Sequence, residues 1–480
     1  MAKTTKTINK KLEYKKPEYF AETQKLFNQV ASFYFDVIQE HQYILELSSK
    51  EALTELESLT VRTKNNPTPK VPLPFQYIPA MFRRAAINTA YGSVKSFFTT
   101  LRKYKEKKAK TEAKGKKHKQ RPPVPPRDWS KNTVFYAGMI KDMDDEEVML
   151  KLYTGKAWVW MKFKHSGRVF PEGWKICSPH AVIYKNRTEL HFPVEKNVKL
   201  TGIKKQLQQN PSLKICAVDL NMDGNHAVCS ILSGDGTQGH VKFIHGNKSL
   251  HHRRKRLLGK IAVKRSQHNG ILEDDDNIAL WKKIHDIEDY EAQRVSKRIV
   301  EFAIENGASV IVFEHLKNLK PAKGKYSKRS NTKRAYWLKG KINDYTSYKA
   351  LEHGILTSVV NPRNTSRDCF YCDEKVSRYK DVPEGYTVGT PLFQCPNGHR
   401  GNADVNASWN IGKKFFLKHL KPSKKLPGVA IFQAAVQAIE QPEASNGPVA
   451  LPGSSVRDYG PNEVAATPQI LGDTPTHGLT

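Results

Sequence analysis

Three acidic residues sit where a folding chain ordinarily avoids charge. Leu213 to Leu220 (Leu-Lys-Ile-Cys-Ala-Val-Asp-Leu) and Ala308 to Glu314 (Ala-Ser-Val-Ile-Val-Phe-Glu) are apolar runs of strand length, and each delivers a carboxylate near its C-terminal end, Asp219 and Glu314. Burying an unpaired carboxylate is costly, so a strand tip that carries one asks for a partner. A third acid, Asp404, opens the helix-like run Asp404-Val405-Asn406-Ala407-Ser408-Trp409-Asn410-Ile411. Taken singly, Asp219 reads as a turn cap before Asn221, Glu314 as a partner of His315 or Lys317, and Asp404 as a helix N-cap. Taken together they are hard oxygen donors for two magnesium ions about 3.5–4 Å apart, an arrangement that activates water and stabilises the leaving oxygen of a phosphodiester.

The cysteines offer a second chemistry. Of six, three fall late: Cys369-Phe370-Tyr371-Cys372 is a Cys-x-x-Cys knuckle, and after 22 intervening residues comes Cys395-Pro396-Asn397-Gly398-His399. Three thiolates and an imidazole would close a tetrahedral zinc shell with no open position, which is a structural site. The competing reading of Cys369 and Cys372 is a redox pair, but no thioredoxin-like βαβ pattern surrounds them. Cys177, Cys216 and Cys229 read as ordinary core or strand residues. So few cysteines, so clustered, argue for a reducing cytoplasm and against a disulfide framework.

Charge names the class of partner. Seventy-nine Lys and Arg against 47 Asp and Glu leave +32, which calls for a polyanion. A ribosome-associated or merely adhesive basic protein is the bland alternative; nucleic acid is the favoured one. No run of about 18 apolar residues suggests a membrane span, and Met1-Ala2-Lys3-Thr4-Thr5 leads into mixed charge without an apolar signal core. At 480 residues the chain has room for two to four domains.

The elements that must position these groups follow from periodicity. Residues 1–20 read as a strand; from about Tyr19, Phe20, Phe27, Val30, Tyr34, Val37 and Ile38 recur at helical spacing. A second helix begins after Pro79, and its Arg83, Arg84, Asn88 and Tyr91 are candidate nucleic-acid contacts, each with a solvated helix face as the plain alternative. Arg102 to Lys119, then a Pro-rich stretch to Arg127, reads as a mobile basic loop. Period-two runs over about 128–200 suggest a small β-barrel or sheet. After Lys214 the order is three strands, long helices from about Asn277 to Glu305, a strand, a helix and a strand, with a basic segment at His251-His252-Arg253-Arg254-Lys255-Arg256. From Gln441 on, Pro, Gly, Ser and Thr dominate, as in a disordered tail or cloning remnant.

The run Pro362-Arg363-Asn364-Thr365-Ser366-Arg367-Asp368-Cys369, with Phe393-Gln394-Cys395-Pro396 and Asn402-Ala403-Asp404 through Ile411, resembles the C-terminal signature of the TnpB transposon-encoded nucleases. Miniature type V CRISPR effectors share that signature. Val218-Asp219-Leu220, Val312-Phe313-Glu314-His315-Leu316 and Tyr348-Lys349-Ala350 fall in the order that family uses. The match extends over about 200–415; the N-terminal half agrees in layout.

The resemblance implies a multidomain α/β protein: an RNase H-like RuvC nuclease domain with an inserted zinc ribbon, plus a β-barrel wedge domain carrying an inserted helical recognition domain. Its boundaries would be 1–20 and 128–200 for the wedge, 21–127 for the helical domain with its basic loop, and 201–363 for the first two RuvC motifs. The zinc-ribbon, target-nucleic-acid-binding insertion would span 364–402, the third motif 403–425 and the tail 426–480. It implies an RNA-guided DNA endonuclease of the prokaryotic cytoplasm, monomeric or homodimeric. Asp219, Glu314 and Asp404 would be its catalytic, magnesium-binding carboxylates, and Cys369, Cys372, Cys395 and His399 its zinc ligands. A guide RNA and double-stranded DNA with an adjacent motif would be the partners. Arg83, Arg84, Asn88 and Tyr91 would contact nucleic acid, and Arg253, Arg254 and Arg256 would hold its backbone.

Departures exist. The family's second knuckle reads Cys-x-x-Cys-Gly-His, and here its second Cys is missing, so either His399 completes the shell or the ribbon holds metal weakly or not at all. Asn221 and Asp373 replace turn glycines, which Asn and Asp tolerate. A guided protein that binds without cutting should have lost carboxylates, and all three are present. An unguided RuvC-like resolvase would not need the long basic N-terminal half.

Overall fold

The computed structural model describes residues 2–419 apart from 14–16, 116, 119, 126–128, 211, 223–224, 268–275, 323 and 379–391. The tail expected over 426–480, the end of the Pro-rich stretch and part of the turn after Asp219 lie outside the described residues.

Alternating burial makes Ala2–Glu13 a strand, β1, with Ile8 and Leu12 facing inward. The helical spacing that follows becomes α1 (Glu18–Glu40), which buries Phe20, Phe27, Val30, Tyr34 and Ile38. Next comes α2 (Ser49–Thr60), started by a capping box in which the Ser48 hydroxyl accepts from the Glu51 amide and the Glu51 carboxylate accepts from the Ser48 amide. The third helix, α3 (Ala80–Glu112), lays Phe82 edge-on against Phe27, ring centroids 5.5 Å apart.

The expectation of a loop from Arg102 is corrected here, since α3 runs on to Glu112. Lys, Arg, Glu and Ala are all good helix formers, and an already nucleated helix extends at little cost. Like charges at neighbouring turns cost only tenths of a kcal/mol per pair, partly offset by Lys108 and Glu112 at 3.9 Å.

Six further strands follow: β2 (Ile140–Lys141), β3 (Glu147–Tyr153), β4 (Trp158–Gly167), β5 (Lys175–Ile176), β6 (His180–Tyr184) and β7 (Arg187–Val198). The sheet has the order β2-β3-β4-β1-β7-β5, with β6 also on β7. Remote in sequence, β1 is antiparallel to both β4 and β7. Sheet and helices share one hydrophobic core, in which Ile8, Phe27, Phe82, Ala86, Val148 and Leu190 belong to a single cluster.

A short helix, α4 (Ile203–Gln209), leads to a second sheet. Its first three strands are β8 (Lys214–Leu220), β9 (Asn225–Ser233) and β10 (Gln238–His245). Two helices, α5 (Lys248–Gln267) and α6 (Ile278–Glu305), precede β11 (Val310–Glu314), and α7 (Lys328–Ala335) and α8 (Lys339–Glu352) precede β12 (Leu356–Val360). The strand order is β10-β9-β8-β11-β12. Strands β8, β11 and β12 are parallel, while β9 is antiparallel to both its neighbours. This is a mixed α/β sheet.

Between β12 and the last helix, α9 (Ala403–His419), lie the small strands β13 (Ser377–Arg378), β14 (Leu392–Gln394) and β15 (Arg400–Asn402), paired in that order. Period-two alternation divides the large sheet. Cys216, Val218, Ile311 and Phe313 pack with α6 residues such as Val295 and Ile299, whereas Ile215, Ala217, Val310 and Val312 pack with Ile411 and Phe415 of α9. Among the described residues no helix is long and apolar enough to cross a membrane.

Close approach of α9 to the sheet depends on Gly412, where an added Cβ would lie 2.8 Å from Leu232 Cδ2 and 3.4 Å from the Ala217 Cβ. Leu232 is fully buried and has nowhere to retreat. Gly412→Val should therefore cost about 1–3 kcal/mol through overpacking, read as a lower thermal unfolding midpoint; an unchanged midpoint would show that α9 is not seated this tightly.

Candidate active site and metal knuckle

Strand register decides where the first two carboxylates go. Phe313 lies opposite Val218 in the parallel β8–β11 pair, so Glu314 and Asp219 occupy the next step on adjacent strands, which run about 4.8 Å apart. Both continue the alternation of the α9 face, Asp219 after Ile215 and Ala217, Glu314 after Val310 and Val312. Asp219 is buried, 8% exposed.

Helix α9 runs antiparallel to β8 over that face. The Ser408 hydroxyl donates to Ser230 Oγ at 2.9 Å, and Ser230 is the register partner of Ala217. From Ser408, one turn back along α9 covers about 6 Å and arrives at Asp404. Two residues on from Ala217, about 6.7 Å of strand, is Asp219. The two steps match, so Asp404 enters at the level of Asp219. The helix start is capped by Asn402, whose Oδ1 accepts from the Asp404 and Val405 amides at 2.9 and 3.2 Å.

Glu314 carries a clear electrostatic signature. Burial pushes its carboxyl above the ordinary range, opposed by a hydrogen bond from the Thr365 hydroxyl and by the nearby Lys414 ammonium. Burial in turn lowers Lys414, which donates to the carbonyls of Arg363 and Asn361. Glu291, a buried acid on α6, behaves oppositely. Burial pushes Glu291 up too, but His226, Arg294 and the Asn247 amide outweigh it and hold that carboxyl at about 2. Glu291 is satisfied by three partners; Glu314 has fewer and stays raised.

The knuckle is assembled as it stands. Among the described residues, the one group of His, Cys, Asp and Glu drawn close enough to hold a metal is Cys369, Cys372, Cys395 and His399, with ligand atoms all within 4.8 Å of one another. Cys372 and Cys395 have their sulfurs 3.7 Å apart, the edge length of a tetrahedron with metal–sulfur bonds of about 2.3 Å. His399 Nδ1 is 3.2 Å from Cys395 Sγ. The second half-turn closes through Gly398, at φ +83°, whose amide donates to the Cys395 carbonyl at 3.1 Å. The Tyr371 ring stacks on the His399 imidazole at 5.1 Å, fixing its plane. The three carboxylates are not gathered in that way; acids sharing a site repel one another.

The basic candidates divide. Arg83 and Arg84 both bind Glu57, at 2.7 and 2.9 Å. Asn88 donates to the Tyr136 hydroxyl at 3.0 Å, and Tyr91 is buried with its hydroxyl donating to the Leu47 carbonyl at 2.9 Å. Arg254 pairs with Glu288 at 3.0 Å and lies over the Tyr336 ring. Arg253 and Arg256 are exposed on α5. Thr365, Asn406, Asn410 and Lys413 were not singled out from sequence; the two asparagines stood four apart after Asp404, but only the fold tells which carbonyls they meet.

A TnpB-like protein, aq_aa05, of Aquifex aeolicus (strain VF5) is 32% identical over 237 residues, which are 47% of this chain and 73% of that one. The chain belongs to the TnpB-like protein family. The Cas12f1-like, TNB domain family matches residues 340–411, the stretch that holds the knuckle, and the Aq_aa04 family matches residues 4–154. A CRISPR-associated endodeoxyribonuclease Cas12f1 from Sulfoacidibacillus thermotolerans is 29% identical to this TnpB-like chain over 133 residues, 28% of each. In fold the chain is similar to the mini-RNA-guided endonuclease CRISPR-Cas_phi3, with a TM-score of 0.51 at 11% identity over 86% of this chain and 92% of that one.

The raised Glu314 carboxyl has a stability consequence. A buried acid that resists ionisation penalises the fold above its own pKa, and the penalty vanishes below the ordinary carboxylate value. Without added magnesium, Glu314→Gln should raise the thermal midpoint at pH 8, and the gain should fade towards pH 4. A gain that stays constant with pH would mean that Glu314 ionisation is not the cause.

Proposed function

We propose that this chain is an RNA-guided DNA endonuclease that carries a guide RNA, reads a short motif beside its target and hydrolyses DNA phosphodiesters at a RuvC-like centre. The observation that carries this reading is the adjacency of Asp219 and Glu314 on the α9 face, at the level where Asp404 enters, in a TnpB-like chain.

Asp219, Glu314 and Asp404 would hold two magnesium ions; their donors are hard oxygens, and the unmet demand at Glu314 suits a cation. When bound, the ions supply the activated water and the charge stabilisation for the leaving oxygen. The chain's own part is to fix the carboxylates on one rigid sheet and to hold Glu314 in place through Thr365. Zinc is the metal that best fits Cys369, Cys372, Cys395 and His399, a closed shell with a structural role. Arg253 and Arg256, exposed on α5, would hold nucleic-acid phosphates, which needs charge and no base reading. Of the α3 set, Arg84 keeps 40% of its side chain exposed and suits such a contact better than the enclosed Tyr91.

Two measurements test the reading. Protein purified with its copurifying RNA should cut matching DNA only with magnesium present, and Asp219→Ala should abolish cutting while target affinity is kept. Loss of binding along with cutting would remove Asp219 from the catalytic role, and unaltered cutting would end the carboxylate reading. Metal analysis should find one zinc per chain, lost in Cys372→Ser, because thiolate ligands dominate such sites; zinc-free native protein would refute the ribbon assignment.

A further inference from the structure

Asn406, Asn410 and Lys413 follow one another along α9 at steps of four and three, so they share one side of the helix. All three grip the same stretch, Thr365 to Asp373. Asn406 accepts from the Phe370 amide at 2.9 Å and donates to the Asp368 carbonyl at 2.8 Å. Asn410 donates to the carbonyls of Thr365 and Asp368 at 3.0 and 2.7 Å. Lys413 donates to the Phe370 carbonyl at 3.2 Å and to both Asp373 oxygens at 2.9 Å. All three are buried, at 1%, 3% and 7% exposure.

Buried polar groups satisfied this fully hold one arrangement and no other. The gripped stretch joins two chemistries. At one end the Thr365 hydroxyl lies between the Glu314 carboxylate and the Pro362 carbonyl, the latter at 3.0 Å; with one proton to give, it favours the charged acceptor. At the other end lie Cys369 and Cys372 of the knuckle. The helix doing the gripping is the one that Asp404 opens.

Resting on the magnesium-centre reading above, we infer that Asn406 and Asn410 are positioning residues that lock Thr365 in place so that its hydroxyl aims the Glu314 carboxylate at the metal. The knuckle is then part of the frame of the nuclease centre as well as a separate fold element, because it is built on the same clamped stretch. Groups that orient a metal ligand in this way typically change metal affinity or activity by about 10–100-fold when removed.

The test compares Thr365→Val, which keeps the shape and loses the hydroxyl, with Thr365→Ser, which keeps the hydroxyl, and with Asn410→Ala. In RNA-loaded protein, single-turnover cutting is followed against magnesium concentration. In parallel, manganese bound per chain is measured by electron paramagnetic resonance, less that bound by Glu314→Ala. Thr365→Val and Asn410→Ala should each need roughly tenfold more magnesium and bind less manganese, with target affinity and zinc content unchanged; Thr365→Ser should return to near wild-type behaviour. Equal magnesium dependence in Thr365→Val and the native chain overturns the inference, as does a Thr365→Ser chain as impaired as Thr365→Val, which would leave packing as the only role. Should Asn410→Ala lose its zinc or its fold, the Thr365 pair alone decides. A native chain that does not cut overturns the nuclease reading, and this inference with it, so the two failures are told apart.

Discussion

Placing a carboxylate at the tip of a buried strand costs desolvation, and the architecture around Glu314 answers that cost only in part. Thr365 gives one hydrogen bond and Lys414 lends charge from nearby, yet the carboxyl still rests above its ordinary range. Across the same sheet, burial also raises Glu291, but His226, Arg294 and the Asn247 amide outweigh it. If Glu314 receives a cation, as proposed above, it must be left short of positive charge and must also be kept from turning away.

The second requirement explains why so much polar bonding is buried around a short stretch of chain. Thr365 belongs to a segment without regular structure, which would ordinarily be free to shift. Two asparagines and a lysine from α9 remove that freedom, and the seating of Gly412 on Ala217 and Leu232 fixes α9 to the sheet. The strand tips, the helix and the knuckle thus form one closed circuit of contacts.

Much of this was legible in the sequence, and the reasons differ by element. The strand tips could be read because runs of Ile, Val, Ala, Cys and Phe deliver a carboxylate at their C-terminal ends. The knuckle could be read because Cys-x-x-Cys fixes spacing locally. Helix α2 also carried a signal, Ser48 followed three residues later by Glu51, but its short apolar pattern hides it. The lysine run misleads because charge density suggests a loop while intrinsic propensity favours helix. Tyr91 misleads because helical periodicity gives a face and not what covers it. Thr365 was invisible as a site residue, since its role exists only where β11 and the stretch after β12 meet in space.

The shared core of the N-terminal strands and helices has a mechanical consequence. A sheet and three helices that bury one continuous apolar cluster cannot flex against each other without opening it. Toward the second sheet, Lys6 of β1 meets Glu352 of α8 at 2.8 Å while its ammonium also rests over the Trp174 ring, and an ion pair of this partly exposed sort contributes at most about 1 kcal/mol. The stiffness of the N-terminal half therefore rests on its apolar cluster and owes little to the ion pair.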